Sequence, residues 1–194
     1  MIKVICLLIF SYLIGSIPNA FWIGKVFKNI DIRQQGSGNV GATNAARVLG
    51  YKYGFMTLVL DVLKGAIPTY IGYKMGANLG IYAAICAIIG HSYSIFLKFK
   101  GGKAVATTVG IFLIISPYSI LALLVVFFAI VFLTGYVSIA SMVSALCLSV
   151  AVYLFKGTTP EIIFSIIIGL FVIYKHKSNI KNLINKKEAK FFDK

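Results

Sequence analysis

The residues able to do chemistry fall in three short clusters. The first is Gly36-Ser37-Gly38-Asn39-Val40-Gly41-Ala42-Thr43-Asn44, with Arg47 shortly after. Glycines at 36, 38 and 41 let backbone N–H groups turn toward one point, as in an anion nest. Ser37, Asn39, Thr43 and Asn44 add short polar side chains, and a helix start carrying Arg47 adds positive charge. The run also reads G-x-G-x-x-G. A dinucleotide fold would need a strand before it inside a βαβ unit of ~30 residues, and none fits here. Walker A fails as well, because no Lys-Ser/Thr follows Gly41.

The second cluster runs Gly90-His91 to Phe99-Lys100-Gly101-Gly102-Lys103. Gly101-Gly102 permits a tight turn with exposed backbone, and Lys103 follows as a point charge for phosphate. Lys98 and Lys100 suit snorkelling to lipid headgroups. In the third cluster, Tyr174-Lys175-His176-Lys177-Ser178-Asn179, a helix would put His176 and Asn179 three apart on one face. Ser138 and Ser141 share a helical face in the same way. Asp61 and Lys64 are spaced to pair within an apolar segment, which is how intramembrane charges are tolerated. Arg47, Lys103, two His and several amides and hydroxyls together suit a phosphorylated, polar molecule. No Cys or Ser stands in a nucleophile arrangement, and no metal-ligand constellation is present. Cys6, Cys86 and Cys147 lie in apolar runs, as inert thiols do.

The elements that must position these residues are membrane helices. Of 194 residues, 59% are hydrophobic and 12% charged, and the mean hydropathy is +0.92. A soluble domain carries roughly 45–50% apolar and ~25% charged residues, and one this small cannot hide so much apolar surface. The net charge of +14 would suggest nucleic acid in a soluble protein. Here loop topology and anionic headgroups explain it, so no nucleic-acid partner is expected. Spans of ~20 apolar residues are predicted at 4–24, an uncleaved first span, and at 54–73, 76–97, 138–155 and 161–174. Five Lys and Arg residues fall in 25–53, three in 98–103 and seven in 175–194, fifteen of the nineteen. The positive-inside rule puts all three segments in the cytoplasm. The apolar stretch 104–133 must then cross twice, breaking at Ser116-Pro117. The expectation is an all-α polytopic protein, one domain over 1–194, with seven spans, two of them short. Its amino terminus lies outside and its carboxyl terminus inside.

At these residues the chain resembles the PlsY family, the bacterial membrane acyl-phosphate:glycerol-3-phosphate acyltransferases. The likeness covers essentially the whole length. It rests on Gly15-Ser16-Ile17-Pro18, the G-S-G-N-V-G-A-T-N-x-x-R run, G-H-x-x-x-x-F-x-x-F-x-G-G-K and the late H-x-x-N-I. Three departures stand out: Ser94 where the family shows Pro, and Ala104 and Lys186 where it shows Gly.

The resemblance implies transfer of an acyl group from a fatty acyl phosphate to the 1-hydroxyl of glycerol 3-phosphate, the first step of phospholipid synthesis. It implies a multi-pass protein of the bacterial cell membrane, among membrane lipids, with its site facing the cytoplasm. Ser37, Arg47, Lys103 and His176 would carry the catalytic work. Gly36, Gly38, Asn39, Thr43, Asn44, His91, Gly101, Gly102, Ser138, Ser141 and Asn179 would line the substrate phosphates. No cofactor and no metal are expected. The general base is either His176 or a phosphate oxygen of a substrate. The rival is a transporter for a phosphorylated metabolite. It would need polar residues continuing across the membrane, where Asp61 and Lys64 are the only mid-span charged pair.

Overall fold

The computed structural model describes residues 1–192, and those residues form helices and connecting loops with no strand among them. They divide into two compact units, Met1–Ile114 and the segment from Ile115 onward.

The first unit opens with α1 (Ile2–Ser16) and α2 (Asn19–Lys28). The predicted span 4–24 is therefore not one straight helix, because it bends by 45° at Ile17-Pro18. Proline lacks an amide hydrogen and pushes the residue before it out of the helical region, and Ile17 is extended at φ −60°, ψ 116°. Next come α3 (Ala42–Leu49), α4 (Tyr51–Met75), α5 (Ala77–Ser92) and the short α6 (Val105–Ile115). Helices α1, α4 and α5 pack against one another. Lipid is as apolar as the side chains, so membrane helices associate through close backbone approach at small residues. Gly15 of α1 lies on the Ala87 backbone of α5, and Gly72 lies on Gly80. Gly65 meets the Thr107 carbonyl, and Gly110 meets that of Val62, which seats α6 on α4.

The second unit contains α7 (Pro117–Thr134), α8 (Val137–Leu154), α9 (Thr159–Lys175) and α10 (Lys177–Ile184). The turn from α7 to α8 is made by Gly135 at φ +78°. Helices α8 and α9 pack side by side, with Gly169 against the Ala145 backbone. A capping box of Thr158 and Glu161 starts α9, satisfying two amide donors that the helix cannot reach. The helix break predicted at Ser116-Pro117 is present, with Ser116 as the cap and Pro117 in the first turn of α7.

Four helical segments are long and apolar enough to cross a membrane: Tyr51–Met75, Ala77–Leu97, Pro117–Thr134 and Val137–Leu154. The bent pairs α1–α2 and α9–α10, the latter broken by 52°, raise that to six if each counts as one span. The remaining apolar helix, α6, has 11 residues, or about 16 Å at 1.5 Å rise against a hydrocarbon core of ~30 Å.

Candidate active site

The Gly36–Gly41 loop is held from inside by one side chain. Asn44, on the first turn of α3 and 1% exposed, donates through Nδ2 to the carbonyls of Ile32, Gln35 and Asn39 at 3.3, 3.1 and 3.0 Å. Its Oδ1 accepts from the Ser37 amide at 2.9 Å. Gly36 and Gly38 take left-handed φ of +59° and +69°, which glycine alone adopts without strain. The backbone nest expected from sequence needs correcting here. The Ser37 amide is turned to Asn44, and the Gly38 amide donates to Gln35. Gly41 caps α3 without a side chain. The exposed Ser37 and Arg47 are therefore the outward polar groups of this loop, and Thr43 and Arg47 share a helix face by spacing.

The loop entrance is clasped by Asp31, whose carboxylate accepts two bonds from the Arg33 guanidinium at 2.9 and 2.6 Å. Arg33 in turn lies over the Phe21 ring of α2 at 4.7 Å. The Arg33 hydrogen bonds hold the Asp31 carboxyl down at about 2.

The Gly101-Gly102 loop is held differently. The Gly101 amide donates to the Ser92 carbonyl at 3.2 Å, and the Gly102 amide to that of His91 at 3.0 Å. Neither glycine has positive φ; the left-handed residues are Lys98, Phe99 and Ala104. The glycines are needed instead for close approach, Gly101 to the His91 carbonyl and Gly102 to the His91 ring. His91 is 6% exposed, and its Nδ1 lies 3.2 Å from Thr107 Oγ1. The ring thus supports the turn that delivers Lys103. Leu97, just before this turn, joins the apolar cluster of Ala20, Ile23, Ile32, Val40, Ala45 and Leu49. Two of the three predicted clusters are therefore seated on one small core.

The other predicted residues belong to the second unit. His176 does not sit within a helix beside Asn179; it stands at the junction of α9 and α10. It is 3% exposed, and Nδ1 lies 2.7 Å from the Val172 carbonyl. A carbonyl can only accept, so Nδ1 carries a proton in this contact. Asn179 donates to Glu188 Oε1 at 2.6 Å. Ser141 bonds back to the Val137 carbonyl at 2.8 Å. The Ser138 hydroxyl is buried without a partner among the described residues.

Sequence reasoning missed Glu188, and it missed Asn19, which donates to Asp61 at 2.8 Å. It read Asn44 as a ligand, whereas the structure commits that side chain to shaping the loop. The Asp61–Lys64 pair is present, with Nζ 2.9 Å from Oδ1.

These features define a helical membrane protein with two preshaped glycine loops, followed in sequence by Arg47 and Lys103. The chain belongs to the glycerol-3-phosphate acyltransferase family, whose profile matches residues 5–186. It is 44% identical to the glycerol-3-phosphate acyltransferase of Fusobacterium nucleatum, over 96% of this chain and 97% of that one. It is also 44% identical to that of Bacillus subtilis, covering 95% of each. Among solved structures it is similar to PlsY (YgiH), an integral membrane glycerol 3-phosphate acyltransferase. The glycerol 3-phosphate form gives a TM-score of 0.93 at 37% identity, covering 97% of this chain and 95% of that one. The lysophosphatidic acid form gives 0.90 at 36%, with the same coverage.

Proposed function

We infer that this chain acylates the 1-hydroxyl of glycerol 3-phosphate, using a fatty acyl phosphate as donor. The observation that carries the reading is whole-chain likeness to a protein solved in both a glycerol 3-phosphate form and a lysophosphatidic acid form. Those two names supply acceptor and product. The donor is argued from chemistry: a mixed anhydride is already activated, and the chain offers no nucleophile arrangement for an acyl-enzyme. The substrate hydroxyl oxygen attacks the acyl carbon, the new ester bond forms, and the acyl carbon–phosphate oxygen bond breaks to release inorganic phosphate. The hydroxyl proton passes either to His176 Nε2 or to a phosphate oxygen of a substrate. Both substrates are anions, so Ser37, Arg47, Lys103, Ser138, Ser141, His176 and Asn179 bind phosphate and offset developing charge. Asn39 and Thr43 add polar contacts. Gly36, Gly38, Asn44, His91, Gly101 and Gly102 shape the loops that present these groups.

Charge distribution supports seven spans, with α6 as a short one, the amino terminus outside and the site at the cytoplasmic face of the bacterial cell membrane. Family likeness across residues 5–186 supports a single catalytic domain.

The test is turnover by purified protein in lipid, following lysophosphatidic acid and phosphate with palmitoyl phosphate or palmitoyl-CoA as donor. Turnover with the acyl phosphate alone, unaffected by EDTA, is the expected result. Turnover with the thioester overturns the donor. Silence with both, in folded protein, overturns the reading in favour of transport of a phosphorylated metabolite.

A further inference from the structure

The break between α1 and α2 strips carbonyls of their helical partners, and buried polar groups must be paired. Two side chains from elsewhere meet them. Lys64 of α4 donates to the Ile17 carbonyl at 2.9 Å, and Ser94 donates to the Ser16 carbonyl at 2.5 Å. Asp61, one turn before Lys64, accepts from Lys64 at 2.9 Å and from Asn19 at 2.8 Å. Asn19 is the first residue of α2. A single turn of α4 therefore grips the end of α1 through Lys64 and the start of α2 through Asp61. Both charged side chains are nearly inaccessible, at 6% and 2%, and the catalytic chemistry uses neither.

An apolar pair would pack α4 but would leave the Ile17 carbonyl with its backbone bond from the Asn19 amide alone, at 3.1 Å, and the Asn19 side-chain amide without its carboxylate. Beyond the break, α2 buries Ala20 and Ile23 in the cluster that seats Ile32, Val40 and Ala45 around the first glycine loop. On the second-loop side, Tyr12 of α1 also donates to the Tyr93 carbonyl at 3.0 Å, next to Ser94.

We propose that Asn19, Asp61 and Lys64 are positioning residues: they fix the angle at which α2 leaves α1, and through α2 they place Ser37 and Arg47 for the acceptor phosphate. Ser94 anchors the second glycine loop to the same break. This rests on the reading of Ser37 and Arg47 as phosphate-binding groups.

Trp22, the only tryptophan in the chain, lies on α2 and is 51% exposed, so it reports the position of that helix. The experiment compares native protein with Lys64→Met, Asn19→Ala and Ser94→Ala in vesicles of defined phosphatidylglycerol and phosphatidylethanolamine content. It reads Trp22 quenching by brominated lipid and steady-state kinetics, with a thermal transition confirming the fold. Lys64→Met is expected to change Trp22 quenching about twofold and to raise KM for glycerol 3-phosphate about tenfold, with kcat within about threefold. Asn19→Ala, which removes one bond and leaves the charges paired, moves both in the same direction by about a third as much on a logarithmic scale. Ser94→Ala leaves Trp22 quenching unchanged. General loosening would instead lower the thermal transition in all three variants and leave Trp22 and KM in the folded fraction as they were, which overturns the proposal. Unmoved Trp22 in a folded Asn19→Ala variant overturns it even if Lys64→Met fails to fold. Native protein inactive with either donor breaks the functional reading and the substrate half of the proposal with it, whereas Trp22 quenching tests the α1–α2 angle on its own.

Discussion

The two glycine loops of the first unit look alike as strings of small residues, yet they are built on opposite principles. In the loop at 36–41, glycines supply left-handed backbone at Gly36 and Gly38, and the side chain of Asn44 holds the loop from within. In the loop at 98–104, the glycines supply absence of bulk, so that backbone can lie against the end of α5. Left-handed backbone falls there on Lys98, Phe99 and Ala104. Glycine is thus selected for φ in one loop and for close approach in the other. Substitutions should fail for different reasons in each.

The largest effect is expected at Gly101. A methyl there would meet the His91 carbonyl and lie 2.8 Å from the Ser92 carbonyl carbon, and backbone cannot yield as a side-chain tip can. Gly101→Ala should displace Lys103 and lower kcat/KM about 100-fold, as a displacement near 1 Å commonly does. Steady-state kinetics on folded protein check this. Next comes Asn44→Ala, which removes the side-chain bonds to three carbonyls and one amide of the first loop. Ile32 and Gln35 keep a backbone donor, while the Asn39 carbonyl and the Ser37 amide lose their Asn44 bonds. Loss of a buried hub of this kind costs about 2–4 kcal/mol. Thermal unfolding in a fixed detergent measures it, with a raised KM for glycerol 3-phosphate alongside.

A smaller change, of opposite sign, is expected at Ala104. This alanine is buried at φ +62°, so Ala104→Gly relieves left-handed strain. After the added freedom of the unfolded chain is set against it, stability should rise by about 1 kcal/mol. A lower transition temperature in Ala104→Gly would show that the methyl contributes more by packing than it costs in strain.

The smallest effect concerns pH. Asp31 has its carboxyl lowered from 3.8 to about 2, so its contribution is complete above the unfolded value. It is lost as pH falls from about 4 through about 2. The pair is partly solvated, with Arg33 45% exposed, so Asp31→Asn should cost less than ~1 kcal/mol at neutral pH. It should also flatten the acid limb of the stability curve. An unchanged acid limb would assign that limb to other carboxylates.

How legible was this in the sequence? Apolar run length, loop charge and proline located every long helix and the break at Ser116-Pro117, because these signals act locally. Pro18 was equally visible, yet the resumption of apolar residues from Ala20 to Ile23 concealed its consequence, a 45° bend. The departures Ala104 and Lys186 were visible as residue types. Their shared meaning, both at positive φ, depends on backbone angles that composition does not carry. Asn44 read as one more ligand among polar neighbours, since nothing in the string tells an inward amide from an outward one.

By itself the sequence determined the membrane class and the all-helical architecture, and it singled out the residue types suited to phosphate, because burial in lipid and charge on loops are set by residue type. The tertiary structure alone decided which polar groups face a substrate and which hold the backbone. Asn44, His91 and the Asn19–Asp61–Lys64 group find partners 12, 16 and 42–47 residues away. Pairings across such separations arise from how helices pack, and packing is a property of the folded chain rather than of any local run.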